Sequence, residues 1–267
     1  MKKSSYMILV VFIACSFKAS DKPVSIFIAG DSTAQTYYEE RDGLIKGWGQ
    51  LLPLFLDSNI SVVNHAIGGR STKSFISEGR WGRLIKEVHA GDIVLIQFGH
   101  NDASSRPERH TSYDDYRQNL IKMIQEVRSK EATPILLTSV VMRTFKDGNL
   151  VDDRLKGYPV ITRKIAEEQQ VALIDINLKT RDFITMLGDE SSKPFYRWLE
   201  PGVDPTKPEG IKDDTHMMEK GAKQVAFFVA EGLMRLNLPG ISRHIVIPKQ
   251  KNLSSIGTPI RWIPEDN

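Results

Sequence analysis

The sequence lacks several features that would place it in a specialised class of protein. It has one cysteine, Cys15, so no disulfide can form within the chain and the fold must rely on core packing. No internal repeat, low-complexity tract or linker interrupts the 267 residues. The apolar run at residues 6–14 is too short to span a bilayer. These absences indicate an ordinary globular domain.

Net charge is also nearly absent. The 36 basic and 33 acidic side chains give +3, but Lys2, Lys3 and Lys18 all lie in the first 20 residues. The rest of the chain is therefore neutral, whereas nucleic-acid binding needs a basic face that displaces counterions from phosphates. We expect no nucleic-acid partner, and we expect the locally basic stretch at residues 243–251 to be a solvated tail.

Residues 1–20 have the pattern of a secretory signal. A basic start precedes the apolar run, and small residues follow at positions 15–20. Cys15 stands where a bacterial lipoprotein carries its lipidated cysteine, although the preceding Phe12-Ile13-Ala14 lacks the usual leucine. The pattern predicts a secreted or periplasmic protein, with a lipid anchor on Cys15 as the alternative and the only route to a membrane. A buried N-terminal helix is the remaining interpretation.

Short apolar runs alternate with amphipathic helical patterns along the rest of the chain. The runs are residues 24–29, 62–64, 93–96, 135–138 and 173–176, and the helical patterns cover 116–127, 158–169 and 222–233. This alternation predicts an α/β domain at residues 21–240, with helices on both faces of a five-stranded parallel sheet. Residues 241–267 form a C-terminal tail that packs on the domain or extends from it.

Polar motifs follow the first three predicted strands. They are Gly30-Asp31-Ser32, the stretch 64–70 and Gly99-His100-Asn101-Asp102. In such sheets ligands bind at the carboxyl ends of the strands, so the three motifs should meet in one crevice. A long irregular stretch at residues 188–212 carries Phe195, Tyr196 and Trp198, which either pack the loop down or form a platform for substrate.

Ser32 has the position of a nucleophile, because it stands where a buried strand opens into a loop. Asp213-Asp214-Thr215-His216 offers it a base, since a turn before the last helix can bring Asp213 to the His216 ring. Asp213 would then fix the tautomer and leave Nε2 to accept the serine proton. Alternatively either aspartate caps the helix, and Asp214 competes for the ring.

Three donors for an oxyanion hole accompany the serine. They are the backbone N–H of Ser32, the backbone N–H of Gly69 and the side-chain amide of Asn101. Each has a simpler interpretation, since Gly68-Gly69 can form a plain turn and Asn101-Asp102 can cap a helix. The combination of nucleophile, base and donors in one chain favours catalysis over coincidence.

The order of these motifs resembles the SGNH, or GDSL, hydrolase superfamily. More narrowly, residues 30–33, 69–75, 97–102 and 213–216 resemble the rhamnogalacturonan acetylesterase family, and the likeness runs from about residue 26 to about residue 236. The resemblance implies a flavodoxin-like three-layer α/β/α sandwich and an esterase that needs no metal or other cofactor. Its implied substrate is an acetylated pectic polysaccharide or oligosaccharide, and we expect a monomer.

Arg70 and His100 flank the predicted oxyanion donors. Either can contact sugar hydroxyls or a galacturonate carboxylate, for which the planar guanidinium of Arg70 is suited. The alternative is structural, with Arg70 paired to a loop carboxylate and His100 to the backbone.

Competing functions use the same residues differently. Asp31, His100, Asp102, Asp214 and His216 could bind two metals in a phosphoesterase, but the order of the motifs differs from that of such enzymes. A carbohydrate-binding protein without turnover, and an acetylesterase acting on xylan or another O-acetylated glycan, are further alternatives. No G-x-S-x-G elbow surrounds Ser32, so an α/β-hydrolase fold is not indicated.

Overall fold

The computed structural model describes residues 24–151, 154–155, 157–247, 251–253 and 260–262. The predicted signal segment at residues 1–20, with Cys15, lies outside the described residues, and its role stays a prediction. Along the described ranges, no helix combines the length and the apolarity that crossing a bilayer requires.

The elements alternate as the sequence predicts. The strands are β1 (Ser25–Gly30), β2 (Ile45–Lys46), β3 (Ser61–Asn64), β4 (Ile93–Gln97), β5 (Thr133–Leu137), β6 (Thr144–Lys146), β7 (Asn149–Val151), β8 (Ala172–Ile174), β9 (Tyr196–Leu199), β10 (Ile211–Met218), β11 (Lys251–Leu253) and β12 (Ile260–Trp262). The helices are α1 (Glu39–Asp42), α2 (Trp48–Leu51), α3 (Thr72–Ser77), α4 (Arg80–Glu87), α5 (Tyr113–Arg128), α6 (Gly157–Glu168), α7 (Ile176–Ser192) and α8 (Glu219–Arg235).

Five parallel strands form the central sheet, in the order β3-β1-β4-β5-β8. Successive side chains of a strand point to opposite faces, so Ile26 and Ile28 of β1 join one apolar core while Phe27 and Ala29 join the other. Helices α2, α7 and α8 cover the first face, and α3 to α6 cover the second. The predicted three-layer α/β/α architecture is confirmed.

Helix α8 packs unusually close to its neighbours because two of its residues are glycines. A Cβ on Gly221 would lie 2.0 Å from the carbonyl oxygen of Phe195, and one on Gly232 would lie 2.6 Å from Cγ2 of Ile174. The first contact brings α8 against the segment that leads into β9. Strand β10, which carries the predicted base, runs directly into this helix.

The stretch at residues 188–212 is more regular than the sequence predicts. Helix α7 continues to Ser192 across a kink at Gly188, a single turn of 3-10 helix follows at Lys193–Phe195, and β9 comes next. Phe195 and Tyr196 are buried in the core, whereas Trp198 is half-buried. The prediction of one irregular loop is wrong, because β9 has four residues and gains its strand geometry from pairing with β10, which is distant in sequence.

A second, three-stranded sheet in the order β2-β10-β9 stands beside the central one, and both of its pairings are antiparallel. The start of the predicted tail packs on the domain. His244 Nδ1 lies 2.8 Å from a carboxylate oxygen of Asp57, and Ile245 forms a β-bridge with Leu56. Strands β11 and β12 pair with each other as a hairpin.

Candidate active site

The turn after β1 holds Ser32 rigidly. Asp31 is fully buried, and its Oδ1 accepts hydrogen bonds from the backbone N–H of Thr33 (2.9 Å) and from the Thr33 hydroxyl (2.8 Å). The Tyr37 hydroxyl donates to the carbonyl oxygen of Ser32 at 2.8 Å. Ser32 itself is 9% exposed. The nucleophile predicted from the sequence therefore stands on a backbone that is fixed from both sides.

Asp31 also contacts the motif that follows β4. Its Oδ2 lies 3.4 Å from Nδ1 of His100, whose side chain is 4% exposed. Burial by itself raises the pKa of Asp31, but the neighbouring charge of His100 and the Thr33 donors outweigh it, so the pKa lies below its ordinary value. His100 has little surface left for a sugar. The His100 ring therefore pairs with Asp31. The sequence had suggested a contact with the substrate or with the backbone instead.

The loop after β3 brings Gly69 to the same end of the sheet. Gly69 has φ +79°, a conformation that favours glycine, and the preceding Gly68 N–H donates to Oε1 of Gln35 from the Ser32 loop. The Arg70 guanidinium donates to Glu78 (Nε to Oε2, 3.1 Å) and to the carbonyl of Gly68 (2.9 Å). These contacts match the structural alternative for Arg70, with the guanidinium paired to a loop carboxylate.

Asn101 and Asp102 tie the loop after β4 to the loop after β3. Asn101 Nδ2 donates to the carbonyl of Arg70 at 3.2 Å. Asp102 is fully buried, and its Oδ1 accepts from the Thr72 backbone N–H (3.0 Å) and hydroxyl (2.6 Å). Burial raises the pKa of Asp102 to about 6, against the hydrogen bonds from Thr72. These bonds hold Asn101 in place relative to Gly69.

The predicted base lies in a bulge of strand β10. This bulge stands in the place of the turn that the sequence predicts before the last helix. Asp213 pairs with Arg197 and Met217 pairs with the adjacent Tyr196, so the backbone of residues 214–216 has no register partner in β9 and forms a bulge. Asp213 Oδ1 accepts from the N–H groups of Thr215 (2.8 Å) and His216 (3.1 Å). Its Oδ2 lies 2.7 Å from Nδ1 of His216. One carboxylate thus stabilises the bulge and orients the ring.

The same contacts determine the electrostatics of the pair. Burial opposes ionisation of Asp213, but the hydrogen bond and charge of His216 and the backbone donors hold its pKa below the ordinary value. An ionised Asp213 at Nδ1 keeps the proton of neutral His216 on that nitrogen and leaves Nε2 as an acceptor.

Asp214 does not compete for the His216 ring. Its Oδ1 accepts from Nε1 of Trp198 at 2.7 Å and lies 3.3 Å from Nε of Arg143. The Arg143 side chain is 2% exposed, stacks on Trp198 at 4.3 Å from the ring centroid and also donates to Asp189 at 2.7 Å. Of the two aspartates, Asp213 is therefore the one that contacts the His216 ring.

Tyr37 is a site residue that the sequence analysis missed. Burial and the negative charges of Asp31, Asp42 and Asp213 raise its pKa, so its hydroxyl stays protonated and donates to Ser32. The Tyr37 hydroxyl thus contacts the backbone of the nucleophile loop. No motif marks it, because its role depends on chain segments that meet only in the fold.

Arg109 is a second residue that the sequence analysis missed. Its Nη1 donates to Oδ1 of Asn101 at 3.2 Å, and its guanidinium lies over Gly69. Within the described ranges, no three His, Cys, Asp or Glu side chains come together as a metal site. The five candidate ligands of the phosphoesterase alternative therefore do not converge in the described part of the chain.

Comparisons with known proteins agree with this geometry. The family model of the GDSL-like Lipase/Acylhydrolase family matches residues 28–224. The chain is 38% identical over 225 residues to rhamnogalacturonan acetylesterase RhgT of Bacillus subtilis, covering 84% of this chain and 95% of RhgT. It is 38% identical over 216 residues to YesY, a probable rhamnogalacturonan acetylesterase of the same organism, covering 80% of this chain and 94% of YesY.

A solved structure extends the comparison to the fold. Axe2, an acetylxylan esterase from Geobacillus stearothermophilus, superposes with a TM-score of 0.57 at 18% identity, covering 82% of this chain and 98% of that one. At this identity the likeness concerns the fold alone. The family model that matches residues 28–224 and the similarity to RhgT show that this chain belongs to the GDSL-like lipase/acylhydrolase family.

Proposed function

We propose that this protein is a serine esterase that removes acetyl groups from acetylated rhamnogalacturonan, a pectic polysaccharide of the plant cell wall. The observation that carries the proposal is the Asp213–His216 pair at 2.7 Å, with Asp214 held away by Trp198 and Arg143. It accompanies a rigid Ser32 and two oxyanion donors at the carboxyl ends of the central strands. These residues supply a candidate for each part of an acyl-transfer site.

The reaction follows from these positions. Ser32 Oγ attacks the acetyl carbonyl carbon while His216 Nε2 takes the serine proton, and Asp213 stabilises the imidazolium that forms. The N–H groups of Ser32, Gly69 and Asn101 donate to the oxyanion. When the intermediate collapses, the bond to the sugar oxygen breaks and that oxygen takes the proton from His216. Water then repeats the sequence on the acetyl-enzyme and releases acetate.

The choice of substrate rests on similarity along most of the chain. Two relatives with 38% identity carry rhamnogalacturonan acetylesterase in their names, whereas the acetylxylan esterase Axe2 shares the fold at 18% identity. Acetylated xylan and other O-acetylated glycans are therefore the second choice of substrate.

Acetate release tests the proposal directly. Purified protein is incubated with acetylated rhamnogalacturonan and with acetylated xylan in the presence of a chelator, beside the Ser32→Ala variant. We expect release from the pectic polymer by the unmodified protein alone. Faster release from xylan would overturn the substrate, activity lost in chelator and restored by metal would overturn the serine mechanism, and binding without release would favour the carbohydrate-binding alternative.

We also propose that residues 1–20 direct export, because a polysaccharide substrate lies outside the cell. Mass spectrometry of the protein recovered from the producing cells checks this. A mature chain that begins near Ser20 supports soluble export, and one that begins with a lipidated Cys15 supports the anchor.

A further inference from the structure

Arg109 lies against both oxyanion-hole residues that the loops after β3 and β4 contribute. Its Nη1 donates to Oδ1 of Asn101 at 3.2 Å. A methyl group on Gly69 would lie 3.6 Å from Nη2 and 3.7 Å from Cζ of the same guanidinium. Arg109 belongs to the loop at residues 104–111, outside the motifs that carry the likeness to GDSL enzymes.

The contact with Asn101 determines which end of its carboxamide faces the substrate. An asparagine side chain has an acceptor oxygen and a donor nitrogen of nearly equal size, and a rotation of 180° exchanges them. Here Oδ1 faces the donating Arg109, while one N–H of Nδ2 donates to the carbonyl of Arg70 at 3.2 Å. The second N–H of Nδ2 remains for the oxyanion. The reversed amide would place an acceptor oxygen against the developing negative charge.

Charge adds to this orientation. A cation at Oδ1 polarises the amide and strengthens its N–H as a donor, and hydrogen bonds from charged groups are stronger than those from neutral ones. Among the residues that the structure describes, the one carboxylate within ion-pair distance of Arg109 is Glu108, at 4.0 Å. The positive charge is therefore only weakly compensated there, and it lies beside the place where negative charge develops.

The loop that carries Arg109 is itself held in place. The Arg109 N–H donates to the carbonyl of Arg106 at 3.1 Å, and Lys73 Nζ of helix α3 donates to the carbonyl of Pro107 at 3.1 Å. The Thr111 N–H donates to the carbonyl of Asp102 at 3.1 Å. These bonds anchor the loop to the same two segments that form the oxyanion hole. The Arg109 side chain is 28% exposed, so it is fixed without being sealed from solvent.

We propose that Arg109 is a positioning residue of the ester hydrolysis, which holds the Asn101 amide with Nδ2 toward the oxyanion and stabilises that charge through the amide. The inference rests on the proposed esterase function. It predicts a loss in kcat with little change in KM, because the acetyl oxygen carries negative charge in the transition state and not in the bound ester.

The test uses Arg109→Met, Arg109→Lys, Asn101→Ala and the double variant Arg109→Met with Asn101→Ala. The matched control is Arg106→Met, an exposed arginine of the same loop. Rates are measured with p-nitrophenyl acetate, which is too small to report polysaccharide contacts, and with acetylated rhamnogalacturonan. Thermal unfolding of every variant checks that the fold is retained.

We expect Arg109→Met to lower kcat by about tenfold to a hundredfold, less than the roughly 10²- to 10³-fold loss on removing an oxyanion donor. Arg109→Lys should recover part of the loss, because it restores the charge, and Arg106→Met should match the unmodified protein. In the Asn101→Ala background, Arg109→Met should cost at most about threefold, because the amide through which it acts is absent.

Three kinetic results would overturn the inference. The first is a kcat of Arg109→Met equal to that of Arg106→Met. The second is a full further loss in the Asn101→Ala background. The third is a rise in KM for the polymer with kcat unchanged, which would assign Arg109 to binding the uronate carboxylate.

A measurement without substrate separates this inference from the esterase function. The side-chain amide signal of Asn101 in a ¹H–¹⁵N spectrum, identified by its loss in Asn101→Ala, should shift in Arg109→Met and stay in place in Arg106→Met. An unmodified protein that hydrolyses no ester would overturn the esterase function, and an unmoved amide signal would overturn the role of Arg109.

Discussion

The two halves of the active site are built in different ways. The nucleophile region consists of the loops after β1, β3 and β4, and its polar side chains are deeply buried, with Asp31 and Asp102 both at 0% exposure. The base region consists of β9 and β10, where the side chains of Asp213 and His216 are 21% and 33% exposed.

The difference matches the tasks of the two regions. Oxyanion donors act best when they are fixed before the charge develops, and hydrogen bonds between the loops after β3 and β4 hold these donors in place. The base must exchange protons with the leaving sugar and with water, so the His216 ring needs access to solvent. Asp213 orients the His216 ring at the bulge of β10. Trp198 and Arg143 contact the neighbouring Asp214.

Removing the reacting atom of either region should have the largest effect. We expect Ser32→Ala and His216→Ala each to lower kcat by several orders of magnitude, up to about 10⁶-fold, because the two act as one unit. For the same reason the double variant should be little slower than either single one. Steady-state kinetics checks this, and losses that multiply in the double variant would show that the two regions work independently.

Within the base region, the two adjacent aspartates should differ sharply. Asp213→Asn should lower kcat by about 10⁴-fold, because an amide no longer fixes the His216 tautomer or stabilises the imidazolium. Asp214→Asn keeps an oxygen for Trp198 and should cost less than about tenfold. The ratio of the two kcat values is the measurement, and a larger loss for Asp214→Asn would assign the acid to Asp214.

Two buried carboxylates, Asp102 of the nucleophile region and Asp204 beside β9, should also contribute oppositely to the pH dependence of stability. Asp102 of the nucleophile region has a pKa of about 6 in the fold, above its ordinary value of 3.8. Between these values the native state binds more protons than the unfolded chain, so its contribution makes stability fall as pH rises from 4 to 6. The difference corresponds to roughly 3 kcal/mol at most.

Asp204 pairs with Arg197 of β9 at 2.9 Å and provides the contrast. Burial opposes its ionisation, but Arg197, Thr206 and the N–H of Leu44 outweigh this and depress its pKa. Its contribution to stability is therefore present above the ordinary carboxyl pKa and is lost as pH falls below it. Urea unfolding at pH 3 to 7 compares Asp102→Asn with Asp204→Asn.

The unmodified protein should lose stability as pH rises from 4 to 6, and Asp102→Asn should remove this decline. The unmodified protein should gain stability as pH rises from 3 to about 4 to 5, and Asp204→Asn should remove this gain. Asp204→Asn also leaves the buried Arg197 without its anion, so it should be the more destabilising of the two at pH 7. If the free energy of unfolding changes with pH in both variants as it does in the unmodified protein, neither carboxylate is coupled to folding in this way.

The nucleophile region was the easier one to predict from sequence. Ser32, Gly69 and Asn101 each follow a strand of the central sheet, and parallel strands bring their carboxyl ends to one edge. The roles of neighbouring side chains were harder to predict from the sequence. Arg70 and His100 each carry a polar group at the right place in the chain, but their partners, Glu78 and Asp31, are specified only when the loops fold together.

In the base region, the sequence predicted the candidate pair but not the contacts that select it. The spacing of Asp213 and His216 marks a candidate pair, because a bulge of β10 suffices to bring a carboxylate to a ring three residues away. Which of the two aspartates pairs with His216 depends on Arg143 and Trp198, because both contact Asp214. They lie 71 and 16 residues from Asp214 in the sequence. Strand β9 itself was missed, since four residues beside a proline-rich loop carry no periodicity long enough to read.

The sequence by itself determined the alternation of central strands and helices, the α/β class, the chemical types of the candidate nucleophile, donors and base, and the strand-end positions of the nucleophile and donors. These features follow from local periodicity and from motifs a few residues long. Only the tertiary structure decided which charges meet. The pairing of Asp31 with His100, of Asp214 with Trp198, and of Arg109 with Asn101 joins distant segments. Such contacts depend on the packing of whole elements, which no short stretch of sequence specifies.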